Sequence, residues 1–202
     1  MFLKSHFDIF DIEGLENRMA AIREHIQPIF NEIWLDFLPK IENILEVSMN
    51  IHIAKHIRRT ANAPESTWSA VSMNKRGYKN EAHFQLGIWG DYVFLYLSMI
   101  DNPKDEARIA ETLIKNINFI KNLPKDFVYS TDHTKKEVYK IGDNLEKDIL
   151  RFRDVKKAEF EIGRVITSES PLWEDRNKAK QYLWETIEKL IPLHEEIYSG
   201  LS

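Results

Sequence analysis

Apolar residues Leu15, Met19, Ile22, Ile26, Ile29, Ile33 and Phe37 recur every three or four positions, which is the spacing of one helical face. The stripe predicts a helix, or two joined helices, over about residues 14–46, with Ile41, Ile44 and Leu45 continuing it. Pro28 is expected to kink that helix, and Pro39 to end it or open a further turn. The pattern then changes. Thr67 to Met73 reads as a strand, and Ala82 to Trp89 as another, with Phe84, Leu86 and Ile88 on one face. Gly90-Asp91 suits a two-residue turn. Tyr92 to Ile100 is apolar on both faces, the mark of a central strand. Between the first two strands, Gly77 suggests a turn position with positive φ.

Helical spacing returns with Ile109, Leu113, Ile117 and Ile120. Asn102 suits the N-cap of that helix, Pro103 its first position, and Asp105 and Glu106 its positive end; Pro124 closes it. Phe127 to Tyr129 is a short strand, and Asn144 to Arg153 a short helix. From Ala158 to Thr167, Phe160, Ile162 and Ile166 alternate with Glu159, Glu161 and Thr167, which predicts a half-buried strand. Ser170-Pro171 caps a last helix carrying Leu183, Ile187, Leu190 and Ile191. Strands joined by hairpins between helices predict an α+β fold, an antiparallel sheet with flanking helices, in a single domain spanning residues 1–202.

Composition narrows the class. Only 14 of the 202 residues are glycine or proline, too few for a flexible linker, which favours one domain. With no cysteine there is no disulfide, thiolate nucleophile or iron–sulfur cluster, and a reducing cytoplasm fits. Tyr92 to Ile100 is far shorter than the roughly 20 residues of a membrane span. The first residues lack a basic segment followed by an apolar one, so no signal peptide is expected. The net charge of −4 disfavours a protein that coats nucleic acid. One window opposes that sign. From Ala54 to Lys79 the basic residues are Lys55, Arg58, Arg59, Lys75, Arg76 and Lys79, against Glu65 alone.

The same window contains the most distinctive pieces of the chain. They are a KH-x-RRT-x-N-x-P stretch from Lys55, a T-W-x-A strand from Thr67, an NKRGYK turn from Asn74 and an HFQ-x-G-x-W strand from His83. With Phe7-Asp8-Ile9-Phe10, Gly14-Leu15 and Arg18-Met19, they resemble the YktB-like family of bacterial proteins. Ala82 stands where that family's pattern has proline before the histidine. The resemblance implies a single α+β domain of bacterial origin and brings no established activity with it.

The chemistry is therefore read from the residues. Arginine presents a permanently charged fork matched to phosphate or carboxylate, and lysine adds point charges. The leading expectation is an anionic, phosphate-bearing ligand held by Lys55, Arg58, Arg59, Lys75, Arg76 and Lys79 and oriented by Asn62, Asn74 and Tyr78. The ligand is a small molecule or a nucleic-acid segment, and Trp68 or Tyr78 could stack on a base. A simple hairpin puts the NKRGYK turn and the entry at Thr67 at opposite ends of the sheet. The two basic segments meet only if residues 48–60 cross it suitably; were residues 48–57 a strand, Arg58 and Arg59 would face opposite ways. A second reading is an enzyme acting on a phosphorylated or carboxylated substrate, with His56 or His83 as general acid or base. A third is a module that docks an acidic partner.

The bland counterpart is that these cations pair with acids on a solvated surface. His52, His56 and His83 could be imagined as a metal triad, but no HExxH pattern supports one, and neither a metal nor a cofactor is expected. There is no Walker A, G-x-G-x-x-G or G-x-S-x-G pattern. Glu159 and Glu161 are taken as an exposed strand face, and Arg151 to Lys157 as a solvated basic patch.

Overall fold

A computed structural model describes residues 1–57, 59–101 and 103–199. The N-terminal part is helical: α1 (Lys4–Phe7), α2 (Leu15–Ala21) and α3 (Gln27–Leu45). A π-helical stretch, Ile22–Ile26, lies between α2 and α3 and sets Pro28 in the first turn of α3, where a missing N–H costs no helical bond. Pro39 does not end the helix; of the two expectations, the one in which Ile41, Ile44 and Leu45 continue it holds. Buried Phe37 and Ile41 keep the same face on the core across it.

Next come β1 (Asn50–Ile53), β2 (Ser66–Ser72), β3 (His83–Trp89) and β4 (Tyr92–Met99). They are followed by α4 (Glu106–Lys115), α5 (Ile117–Lys121), β5 (Phe127–Ser130), β6 (Tyr139–Lys140), α6 (Leu145–Asp154), β7 (Phe160–Thr167) and α7 (Arg176–Ser199). Helix α4 begins at Glu106 rather than Pro103, because Asp105 at its N-cap takes a left-handed φ of 59°. The proposed cap Asn102 lies outside the described residues. Ser170 does cap a helix, but a short 3-10 one at Pro171–Glu174 that precedes α7.

The seven strands form one sheet in the order β1-β2-β3-β4-β7-β5-β6, every neighbouring pair antiparallel. The fold is α+β, and β4 is the central strand, as its two apolar faces require. Phe84, Leu86, Ile88, Leu95, Leu97 and Ile162 turn to one face and join α3, α4, α6 and α7 in the main core. Trp34 of α3 donates its Nε1–H to Ser69 Oγ at 2.7 Å, pinning that helix to β2.

The opposite face is different. Trp68, Trp89, Tyr92, Phe94 and Tyr96 build a smaller aromatic cluster there. The tip of the Phe94 ring lies over Gly87, where a Cβ would come within 2.1 Å of its Cζ. The expectation that Glu159 and Glu161 form an exposed face is overturned: they are 8% and 2% exposed. Strand β7 sits inside the sheet between β4 and β5, so Glu161 has strand residues beside it rather than solvent. Ser98 Oγ donates to Glu161 at 2.8 Å and Gln85 Nε2 at 3.3 Å. Among the described residues, no helix is long and apolar enough to cross a membrane.

Candidate functional site

The aromatic face carries a cavity of about 720 Å³ over Trp68. Two segments that the sequence leaves far apart converge on it. The first follows β1. Ala54 N–H donates to Trp68 O at 3.0 Å, extending the ladder by one step. His56 then takes a left-handed φ of 50°, and the chain turns away from the sheet. Arg59 Nη1 closes the loop by donating to Asn62 O at 3.3 Å and Ala63 O at 3.5 Å. Arg18 Nη1 fastens the far side by donating to Pro64 O at 3.0 Å. Because β1 ends at Ile53, Arg59 belongs to this loop and not to a strand.

The second segment is the NKRGYK turn. Asn74 donates from its backbone and its side chain to the two Glu81 oxygens, at 2.9 and 2.8 Å. Gly77, at φ +79°, reverses the chain into a 3-10 turn over Tyr78–Asn80. The turn folds back across the sheet. Trp68 Nε1–H reaches Tyr78 OH at 2.7 Å, and the Tyr78 ring packs on His52 and His83. Lys79 pairs with Asp101 at 3.2 Å and sits 5.8 Å from the Trp68 ring centre.

Lys55, His56, Arg59, Asn62, Tyr78 and Lys79 therefore line one cavity, with Trp68 and Trp89 among its walls. Asn74, Lys75 and Arg76 do not line it; they are exposed on the outer side of the turn. Arg58 lies outside the described residues. Among the described basic residues of the stretch, Lys79 alone is ion-paired with a carboxylate. His83 is fully buried behind Tyr78, its two ring nitrogens facing Glu81 O at 2.9 Å and Gln85 Oε1 at 3.4 Å. Burial holds its imidazole down at about 4. His52 is engaged with Asn74 O and Ser72 Oγ.

His56 and His133 both border the cavity, and each stands perpendicular to the Trp68 indole, with centroids at 5.4 and 5.9 Å. Their environments differ. His56 Nε2 is 3.0 Å from Thr67 Oγ1, and burial plus the Arg59 charge lower its pKa to about 4. His133 comes from the loop after β5, and its Nδ1 lies 2.7 and 2.8 Å from the Glu159 oxygens. A carboxylate accepts, so Nδ1 carries the proton, and Nε2 has no hydrogen-bond partner among the described residues. Burial pushes the His133 pKa down, but the bond to Glu159 and the charges of Glu159 and Glu161 outweigh it and raise the pKa.

Asp132, His133 and Glu159 offer donor atoms within 4.8 Å of one another, the makings of a cation site. Their oxygens are already engaged. Glu159 also accepts the backbone N–H groups of His133 and Asp101, at 2.8 and 2.9 Å. Asp132 accepts from Thr134 and pairs with Lys135. The group anchors a loop. As site residues, His133, Trp89 and Asp101 escape the sequence reading, and Glu159 reads there as part of an exposed face. The available signal was a polar run, Thr131 to Thr134, directly after a strand.

Residues 2–194 match the family described as "Domain of unknown function (DUF1054)", and the chain belongs to that family. A "UPF0637 protein" of Enterococcus faecalis is 49% identical over 196 residues, covering 96% of this chain and 97% of the relative. One from Lactococcus lactis subsp. cremoris is 50% identical over 198 residues, covering 98% of each. One from Exiguobacterium sibiricum is 43% identical over 197 residues, covering 97% of this chain and 98% of the relative. The resemblance read from the N-terminal half thus holds over the length of the chain, in a bacterial family.

Proposed function

We propose that this protein is a single-domain cytoplasmic binder of a small anionic, ring-bearing ligand, seated in the cavity over Trp68. The supporting observation is the convergence of Lys55 and Arg59 from one loop with Tyr78 and Lys79 from another around one concave, aromatic space. A volume near 720 Å³ lies within the roughly 300–1,000 Å³ typical of ligand clefts. Indole and phenol faces suit a flat ring, and the cations suit a phosphate. Among the described lining residues, three cations stand against Glu65 and Asp101, one net positive charge. That surplus suits a singly charged anion better than a polyanion.

The competing readings draw on other surfaces. A nucleic-acid strand would also use the exposed Lys75 and Arg76, and its affinity would fall steeply with salt. An acidic protein partner would want a flat or convex strip, and the basic residues here border a concavity.

Thermal unfolding against diphenyl phosphate, a singly charged anion with two rings, and against nucleoside monophosphates, inorganic phosphate, short single-stranded RNA and divalent cations tests the reading. A ligand present at 100 times its dissociation constant stabilises the fold by ~2.7 kcal/mol. The expected result is a raised midpoint with a singly charged, ring-bearing anion, lost in a Lys55→Ala, Arg59→Ala double variant. No rise with any anion, or a rise that the double variant retains, overturns it.

A further inference from the structure

Within the proposed anion site, one group goes beyond binding: the imidazole of His133, held by Glu159 on one nitrogen and open on the other. An orienting carboxylate that fixes the tautomer, with the second ring nitrogen available at a cavity wall, is the arrangement that proton transfer requires. A second imidazole, His56, stands against the same indole, with Nδ1 unpartnered among the described residues. Lys55 and Arg59 border the same space and can hold negative charge on a reacting group.

We propose that this cavity hydrolyses a phosphodiester carrying a flat ring, with His56 and His133 as the catalytic residues and Glu159 as the positioning residue. The proposal rests on the anion-binding reading above. The diester follows from charge: it is a monoanion, matching the single surplus positive charge of the described lining once the His133 imidazolium is set against its partner Glu159, whereas a monoester is mostly dianionic at neutral pH. In the step, a water oxygen forms a bond to phosphorus while His56 takes its proton. The ester P–O bond breaks, its electron pair stays on the leaving oxygen, and that oxygen takes a proton from His133. The products are a phosphomonoester and an alcohol. The two imidazoles regain their starting states by exchanging one proton with solvent.

The surroundings give each histidine the protonation state its role needs. Glu159, just before β7, and Glu161 within it favour the His133 imidazolium, against the charge of Lys79 and the cost of burial. Arg59 and burial keep His56 neutral and able to accept. Two like groups whose environments push them apart are the mark of an acid–base pair.

The test uses the full chain and two probes. Bis(p-nitrophenyl) phosphate reports the base through release of p-nitrophenolate, which leaves without a proton, and diphenyl phosphate, a sluggish diester of the same charge, reports binding by calorimetry and the acid through slow release of phenol. The wild type is expected to cleave the first and bind the second. His56→Asn is expected to lose at least about 100-fold in turnover of both diesters and His133→Asn as much in phenol release, the usual worth of a base or an acid, while both still bind diphenyl phosphate. Circular dichroism checks that both fold. Glu159→Gln is expected to move the alkaline limb of the pH profile for phenol release to lower pH with KM unchanged, a readout that loosened packing would not give. Binding without cleavage by the wild type, or phenol release by His133→Asn at the wild-type rate, overturns the hydrolase and leaves the binding reading standing. Absence of both binding and cleavage overturns the two together.

Discussion

Glu159 grips His133 twice, accepting its Nδ1–H at 2.7 Å and its backbone N–H at 2.8 Å. The ring and the loop that carries it are fixed by one buried carboxylate. The imidazolium gains more from that carboxylate and from Glu161 than it loses by burial. His133 is therefore expected to titrate above the ordinary histidine value, and Glu159→Gln to bring it down. Histidine ring chemical shifts followed against pH read both. An unchanged His133 titration in Glu159→Gln contradicts the coupling.

Stability should change with pH in two opposing ways. Glu161 is raised to about 7 by burial, so the folded chain holds a proton that the unfolded chain releases near 4.5. Its contribution is complete below 4.5 and is lost as pH rises through about 7. His56 and His83 are lowered to about 4 from an unfolded value of 6.5, and His194 to about 3. Their contributions are present above 6.5 and are lost as pH falls through those lower values. Between about 4.5 and 6.5 the three histidines outweigh the one glutamate, so stability climbs with pH, and above 6.5 Glu161 and His133 make it decline. Urea midpoints from pH 4 to 8 should peak near 6.5, and Glu161→Gln should weaken the decline above the peak.

Tyr78→Phe removes the acceptor of the Trp68 Nε1–H, which now lies at 2.7 Å. Trp68 is only half-buried, so water can take part of that bond. The expected cost is about 1 kcal/mol, with a change in tryptophan emission as the cavity floor loosens. Emission identical to the wild type would mean that Tyr78 does not hold the indole.

Gly87→Ala would drive a methyl group into the Phe94 ring, 2.1 Å from Cζ. Phe94 is packed among Tyr92, Tyr96 and Trp68 and has little room to yield. The expected loss is about 1–3 kcal/mol in urea unfolding, the usual cost of overpacking a core. A neutral result would mean that the aromatic face is looser than its packing implies.

Much of the sheet was legible because one rule controlled it. Phe84, Leu86 and Ile88 alternate since β3 buries them against the helices, and β4 is apolar throughout since it lies at the centre. The same rule failed at β7. Glu159 and Glu161 look like a solvated face in an alternating strand, yet they are buried among partners such as Ser98, Gln85 and His133, contributed from far along the chain. Half of the candidate site was legible as charge. Its assembly was not, because it depends on the Gly77 reversal that lays Tyr78 across the sheet. His133 escaped notice for a related reason: its partner Glu159 is 26 residues away.

The central claim is that the cavity over Trp68 receives a singly charged anion. The most direct measurement is a titration of the protein, isotopically labelled at histidine and tryptophan, with diphenyl phosphate, observed by NMR. The ring signals of His56 and His133 and the indole signals of Trp68 and Trp89 should shift together and saturate. Trp34 and His194, buried in the main core, should stay in place. Signals that do not move at the four cavity residues, or that move equally at Trp34 and His194, would contradict the account.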